Sequence, residues 1–241
     1  HQPPFRAMQI WHGLYHSYFD NCDQFSNLPL LLRRQLASEF SILPIQEIKE
    51  VHTQNRSTKK VLFQLSSGNS IESVLMNSLK RTSICISSQS GCSMGCKFCA
   101  TGKLGFKQNL SAGEILAQVL FFARELQKTQ KKITNIVMMG MGEPSLNYEQ
   151  VKKAICIINS PRGLNVGARR ITVSTIGIPD GIIQFAHDFS QVNLAVSLHA
   201  ATNEKRDQLV PINRKFPIEA VLKAVEQYIL ITNRRVTFEY V

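Results

Sequence analysis

The sequence has 241 residues, 44% of them hydrophobic and 19% charged, with 28 Lys and Arg against 17 Asp and Glu for a formal net charge of +11. The length and apolar content are those of a folded cytosolic chain able to bury a large core and a smaller one. No apolar run is long enough to span a bilayer, no strongly basic face accompanies a long apolar one, and no secretory signal is legible, so the excess charge points to a polyanion rather than a membrane.

In chain order, residues from Pro4 to Phe40 carry helical periodicity. Ile10, Leu14, Tyr15 and Tyr18 form one apolar face, and a second helix near Leu30–Phe40 follows Pro29. Lys59–Leu65 and Ser70–Met76, separated by Ser66-Ser67-Gly68-Asn69, read as a β-hairpin. Residues 1–80 are therefore expected to form a small α+β accessory unit.

From residue 81 to 241 a different rhythm begins. Strands are expected at Ser83–Ser88, Ile133–Met139, Arg170–Thr175, Val192–Leu198 and Val236–Val241. Helices alternate with them near Ser111–Gln127, Tyr148–Ile158, Pro179–Ala186, Asn203–Leu209 and Ile218–Ile231, the first opened by the capping box Ser111/Glu114. This alternation predicts an α/β fold, a partial parallel (β/α) barrel whose ligands lie at the carboxyl ends of the strands. The chain starts on His1 rather than Met and stops on a strand, which reads as a fragment cut short at its carboxyl end. Basic residues recur as adjacent pairs, at Arg33-Arg34, Lys59-Lys60, Lys131-Lys132, Arg169-Arg170 and Arg234-Arg235. Any single pair suits a solvated face; together they fit a phosphate-rich partner.

Three of the six cysteines fall in Gly91-Cys92-Ser93-Met94-Gly95-Cys96-Lys97-Phe98-Cys99, just after the first barrel strand. They are too close to staple a fold, so metal or redox chemistry explains them better than disulfides. Three thiolates on a Gly-containing loop can hold three irons of a [4Fe–4S] cluster and leave the fourth open. Zinc would want a fourth Cys or His, usually as a second pair, and no later Cys-x-x-Cys supplies it. Two further motifs end strands. In Met138-Met139-Gly140-Met141-Gly142-Glu143-Pro144 the glycines allow close backbone approach and Glu143 offers a carboxylate for an ammonium group, although a plain Gly-rich turn reads as well. Ser174 and the run Ser197-Leu198-His199 end the next two strands, where polar side chains either bind a ligand or cap a helix.

The cysteine motif is the signature of radical S-adenosylmethionine enzymes. The stretches Cys85–Cys92 and Cys99-Ala100-Thr101-Gly102 resemble the adenine methyltransferases of large-subunit ribosomal RNA, a resemblance that runs through Phe5–Ile10 and essentially the whole chain. It implies a [4Fe–4S] cluster on Cys92, Cys96 and Cys99, with S-adenosyl-L-methionine held by Gly142, Glu143, Ser174, Ser197, Leu198 and His199. It further implies Glu72 as a proton acceptor and Cys85 as the residue that frees the product RNA. The resemblance also implies ribosomal RNA and certain transfer RNAs as partners, a flavodoxin-like electron donor, a cytoplasmic location and a monomer. The family's methyl-carrying cysteine would lie beyond Val241. The 138–144 motif looks more like the branch that methylates carbon 2 of adenine. Ser174–Ile178 is closer to the resistance branch, which methylates carbon 8. Two readings from other classes are a different radical enzyme such as a glycyl-radical activase, and a non-catalytic RNA-binding module with structural zinc.

Overall fold

A computed structural model describes residues 2–241. Helix α1 (Phe5–Tyr15) and helix α2 (Leu30–Glu39) are joined through a short 3-10 turn at Cys22–Gln24, which Asn21 caps by accepting from the backbone N–H groups of Asp23 and Gln24. Phe25, Leu28 and Leu32 form a small apolar core of their own there. Three strands follow, β1 (Ile45–His52), β2 (Thr58–Leu65) and β3 (Ser70–Asn77), paired antiparallel.

The barrel segment comprises β4 (Thr82–Cys85), β5 (Gln89–Ser90), α3 (Ala100–Lys103), β6 (Gln108–Asn109), α4 (Ala112–Gln127), β7 (Asn135–Met138), α5 (Tyr148–Asn159) and β8 (Ile171–Thr175). It continues through α6 (Pro179–Asp188), β9 (Asn193–Ser197), α7 (Asn203–Leu209), α8 (Ile218–Thr232) and β10 (Val236–Glu239). Eight strands share one sheet in the order β1-β2-β3-β4-β7-β8-β9-β10, while β5 and β6 pair with each other. Strands β4, β7, β8, β9 and β10 are parallel. Asn77 of β3 pairs with Thr82 of β4, so the division expected near residue 80 lies inside one hydrogen-bonded sheet.

The register assigns the two faces. Ile84, Ile136, Ile171 and Val196 are fully buried and belong to one core cluster with Ile115, Val119 and Phe122 of α4 and Ala154 and Ile155 of α5. Such burial of apolar area is the main stabilising term, at roughly 25 cal/mol per Å². Because successive side chains alternate, Cys85, Ser174, Ser197 and Glu239 occupy the opposite face. Strand β1 escaped the sequence reading because only Ile45 of its eight residues is buried, leaving no apolar alternation to see.

Candidate functional site

At the carboxyl ends of the parallel strands lies a cavity of about 380 Å³, lined by Cys92, Cys96, Cys99, Met138, Gly140, Gly142, Ser174, Ile176, Ser197, His199 and Glu239. The cysteine loop is held from both sides. Gly91 has φ +72°, and a Cβ there would lie 1.8 Å from the carbonyl oxygen of Gly105, so the loop needs glycine at that point. The backbone N–H of Cys92 donates to that same carbonyl at 3.1 Å, and the N–H of Lys97 donates to the carbonyl of Leu209 at 2.9 Å. Cys96 packs with Ile176 and Val210 in a small apolar cluster. Burial, reinforced by the negative charges of its neighbours Cys92, Cys99 and Glu143, pushes the Cys96 thiol up to about 12, and burial raises Cys92 as well. Three neighbouring thiolates are costly here unless a cation neutralises them.

Opposite the loop, the hydroxyls of Ser174 and Ser197 both donate to one carboxylate oxygen of Glu239, each at 2.7 Å. His199, at φ +58°, sets its ring edge-on to Phe98 of the cysteine loop with 4.3 Å between centroids. Burial lowers the pKa of His199, so the ring is neutral at physiological pH, and its Nδ1 is buried without a hydrogen-bond partner. His199 lines the cavity, and a buried polar atom with no partner in the protein calls for a bonding group from outside it.

Glu143 and Leu198, expected to touch a cofactor, support the cavity instead of lining it. Glu143 is 3% exposed, and its carboxylate accepts from the backbone N–H of Ser145 at 3.1 Å, the hydroxyl of Thr175 at 2.7 Å and the backbone N–H of Ile176 at 2.8 Å. Burial raises its pKa against the opposing pull of these bonds. The carboxylate thereby ties the Gly142 turn to the end of β8. Leu198 donates its backbone N–H to the carbonyl of Glu239 at 3.1 Å and accepts from Arg206 Nε at 3.1 Å.

Arg206, which the sequence did not single out, is fully buried in α7. Its guanidinium also donates to Asn213 Oδ1 at 2.8 Å and the Ile176 carbonyl at 2.6 Å, binding the ends of β8 and β9 to the helix. Burial lowers its pKa, with the Cys96 side opposing. Glu239 and Phe98 were likewise missed. A glutamate on a terminal strand and a phenylalanine between cysteines carry no signal until the fold brings them to the cavity wall.

Glu72 and Cys85 lie outside the cavity lining but on its face of the sheet. Val74 pairs with Cys85 across β3 and β4, and Glu72 stands two residues from Val74. The Glu72 carboxylate meets the Lys60 ammonium at 2.9 Å. Burial, partly offset by a hydrogen bond with the Met139 backbone, pushes the Cys85 thiol up to about 11.

These residues fit the expected groups. The three thiols share one cavity, yet among the described residues no three His, Cys, Asp or Glu side chains converge as a single metal ion requires. A cluster that takes one thiolate per iron has no such requirement. His199 and the serine pair then line space of the size a small cofactor needs.

Residues 86–240 match the Radical SAM superfamily. Over 239 residues the chain is 47% identical to a "Probable dual-specificity RNA methyltransferase RlmN" of Geobacillus kaustophilus, covering 99% of this chain and 65% of that protein. A protein of the same name from Roseiflexus castenholzii is 42% identical over 275 residues, covering all of this chain and 69% of its own length. The chain thus spans about two thirds of the length of these relatives. The crystal structure of a radical SAM methyltransferase from Sphaerobacter thermophilus superposes with a TM-score of 0.96 at 46% identity, covering 99% of this chain and 70% of that one.

Proposed function

Because the chain belongs to the radical SAM superfamily, within the group of proteins named RlmN, we propose that the whole protein is an RNA methyltransferase acting on carbon 2 of an adenosine in 23S ribosomal RNA, and on transfer RNA. One observation carries the reading: the three motif cysteines and the serine, histidine and glycine side of the strand ends enclose a single cavity. The superfamily uses a [4Fe–4S] cluster with S-adenosylmethionine, and when bound the pair supplies one-electron chemistry for a ring carbon too poor in electrons for ordinary methyl transfer.

The chain's own residues divide the remaining work. Cys92, Cys96 and Cys99 would hold three irons. Gly142, at φ +103°, presents backbone to the methionine part of the cofactor, and Glu143 fixes that turn from beneath. Ser174, Ser197 and the unpartnered Nδ1 of His199 offer hydrogen bonds to its polar groups. Leu198 contributes backbone that positions its neighbours. Glu72 would take a proton from the adenine, and Cys85 would help release the product from a covalent enzyme–RNA intermediate. Burial keeps the Cys85 thiol protonated at neutral pH, so it must lose its proton before it can act as a thiolate. An electron donor of the flavodoxin type, a monomeric state and a cytoplasmic site of action belong to the same proposal. No helix among the described residues is long and apolar enough to cross a membrane.

Mass spectrometry of ribosomal and transfer RNA from cells with and without the full-length gene tests the reading. It expects 2-methyladenosine to disappear with the gene. An unchanged 2-methyladenosine level, or loss of the 8-methyl isomer instead, overturns it.

A further inference from the structure

The folded chain brings its basic pairs to one place. Four of the five parallel strands are preceded by two adjacent cations: Lys80-Arg81 before β4, Lys131-Lys132 before β7, Arg169-Arg170 before β8 and Arg234-Arg235 before β10. Parallel strands share a direction, so these pairs gather at the amino edge of the barrel, opposite the cavity. The segments leading into the five strands (78–81, 128–134, 160–170, 189–192 and 233–235) hold ten of the 28 Lys and Arg and no Asp or Glu.

Ordinary structural roles leave this charge unaccounted for. Among the described residues none of the ten forms an ion pair. Arg169 and Arg234 bond to Gln191 and Asn193, which orient them without neutralising them. Helix carboxyl ends favour cations, but only within the last turn. The last turns of α5 and α8 hold none, and that of α4 holds only Arg124. Eight of the ten cations lie past those turns, Lys80 and Arg81 follow strand β3, and all but the half-buried Arg234 are exposed. The edge is also concave. Arg56, Lys80, Arg81, Lys131 and Lys132 line one cleft, and Lys131 and Lys132 continue into a second with Arg170.

We propose that this amino edge is a second RNA-docking surface, which binds the phosphate backbone of an extended, structured RNA remote from the adenosine in the cavity. The inference rests on the RNA-methyltransferase reading and adds a second point of attachment to it. Phosphates suit it because spaced, unpaired cations release counterions without needing any base to be read. Each strand of about five residues rises roughly 17 Å. An RNA that fills the cavity and covers this edge must therefore span more than about 20 Å, whereas a short oligonucleotide reaches only the cavity.

The test uses the full-length protein and two RNAs carrying the same target adenosine, a hairpin of a few nucleotides and a folded fragment of ribosomal or transfer RNA. The salt dependence of the dissociation constant is measured for wild type, K131Q/K132Q, K80Q/R81Q/K131Q/K132Q and the control K153Q/K223Q on the outer helices. For the folded RNA, each lost phosphate contact removes about 0.7–0.9 from the slope of log K against log salt, so the fourfold variant should lose about 3 and bind at least about tenfold more weakly at 0.1 M salt. The hairpin affinity and the melting temperature should not move, and the control should match wild type. An unchanged slope with methylation intact overturns this inference alone. Failure of wild type to bind or methylate either RNA overturns the function and this surface together. Loss of binding to phosphatidylserine vesicles, with RNA binding retained, assigns the edge to a lipid surface and refutes the proposal.

Discussion

Replacing Arg206 with Leu removes the clamp on which the cavity wall depends. The guanidinium is fully buried and makes three short bonds, to the Ile176 carbonyl at 2.6 Å, Asn213 Oδ1 at 2.8 Å and the Leu198 carbonyl at 3.1 Å. Leucine fills most of the volume but leaves three buried acceptors bare, each costing about 1–3 kcal/mol. Part of this is returned because a charge no longer has to be desolvated, a cost visible in the lowered pKa of Arg206. The net loss is about 3 kcal/mol, or a fall of about 6–12 °C in melting temperature for a protein of this size. Arg206→Lys keeps the charge but cannot reach all three acceptors at once, and should fall between the two. Differential scanning fluorimetry of the apo protein reads the stability, and calorimetric titration with S-adenosylhomocysteine reads the site. Binding should weaken in step, since Ile176 and Ser197 line the cavity. If R206L melts within about 2 °C of wild type and binds the analogue normally, Arg206 is not the clamp.

Four other perturbations have outcomes set by the local geometry. Gly142→Ala would set a Cβ 2.5 Å from the Gln89 Cβ at φ +103°, so it should cost at least about 2 kcal/mol in a urea melt. Gly68→Ala, at φ +83° with nothing within 4 Å, bears only the backbone strain of about 1 kcal/mol. Iodoacetamide should reach exposed Cys156 well before Cys85, whose pKa of about 11 makes its alkylation rate climb about tenfold per pH unit between pH 7 and 10; a rate flat with pH would contradict this. Glu239→Gln removes a negative charge that raises the pKa of His199 against the larger effect of burial, so an NMR titration of the apo protein should find that pKa lower still in the variant. An upward movement would refute the placement of Glu239.

Periodicity in the sequence was enough for the βα rhythm, because helices α4, α5 and α6 each hide an apolar face and strands β4, β7 and β8 alternate buried with half-buried positions. The Ser111/Glu114 capping box is present as expected, with both reciprocal bonds formed. The cysteine loop was legible because its three cysteines are neighbours in sequence. What stayed hidden was assembled from afar. Glu239 bonds Ser174 across 65 residues, and Arg206 bonds Ile176 across 30, so no local window holds both partners. Glu143, expected as a ligand to an ammonium group, likewise makes bonds that no local window shows. Its carboxylate accepts from Thr175 and Ile176, more than thirty residues away, as well as from nearby Ser145. Strand β1 exposes seven of its eight residues and so carries no buried period.

The proposed chemistry stands on the cysteine loop, and one measurement reaches it directly: iron and sulfide per chain after anaerobic reconstitution of the full-length protein, beside Cys96→Ala. The wild type should hold about four of each with a brown absorbance near 400 nm, and the variant should hold far less. A colourless wild type with one zinc per chain, or a variant that keeps the full iron complement, would contradict the assignment of Cys92, Cys96 and Cys99.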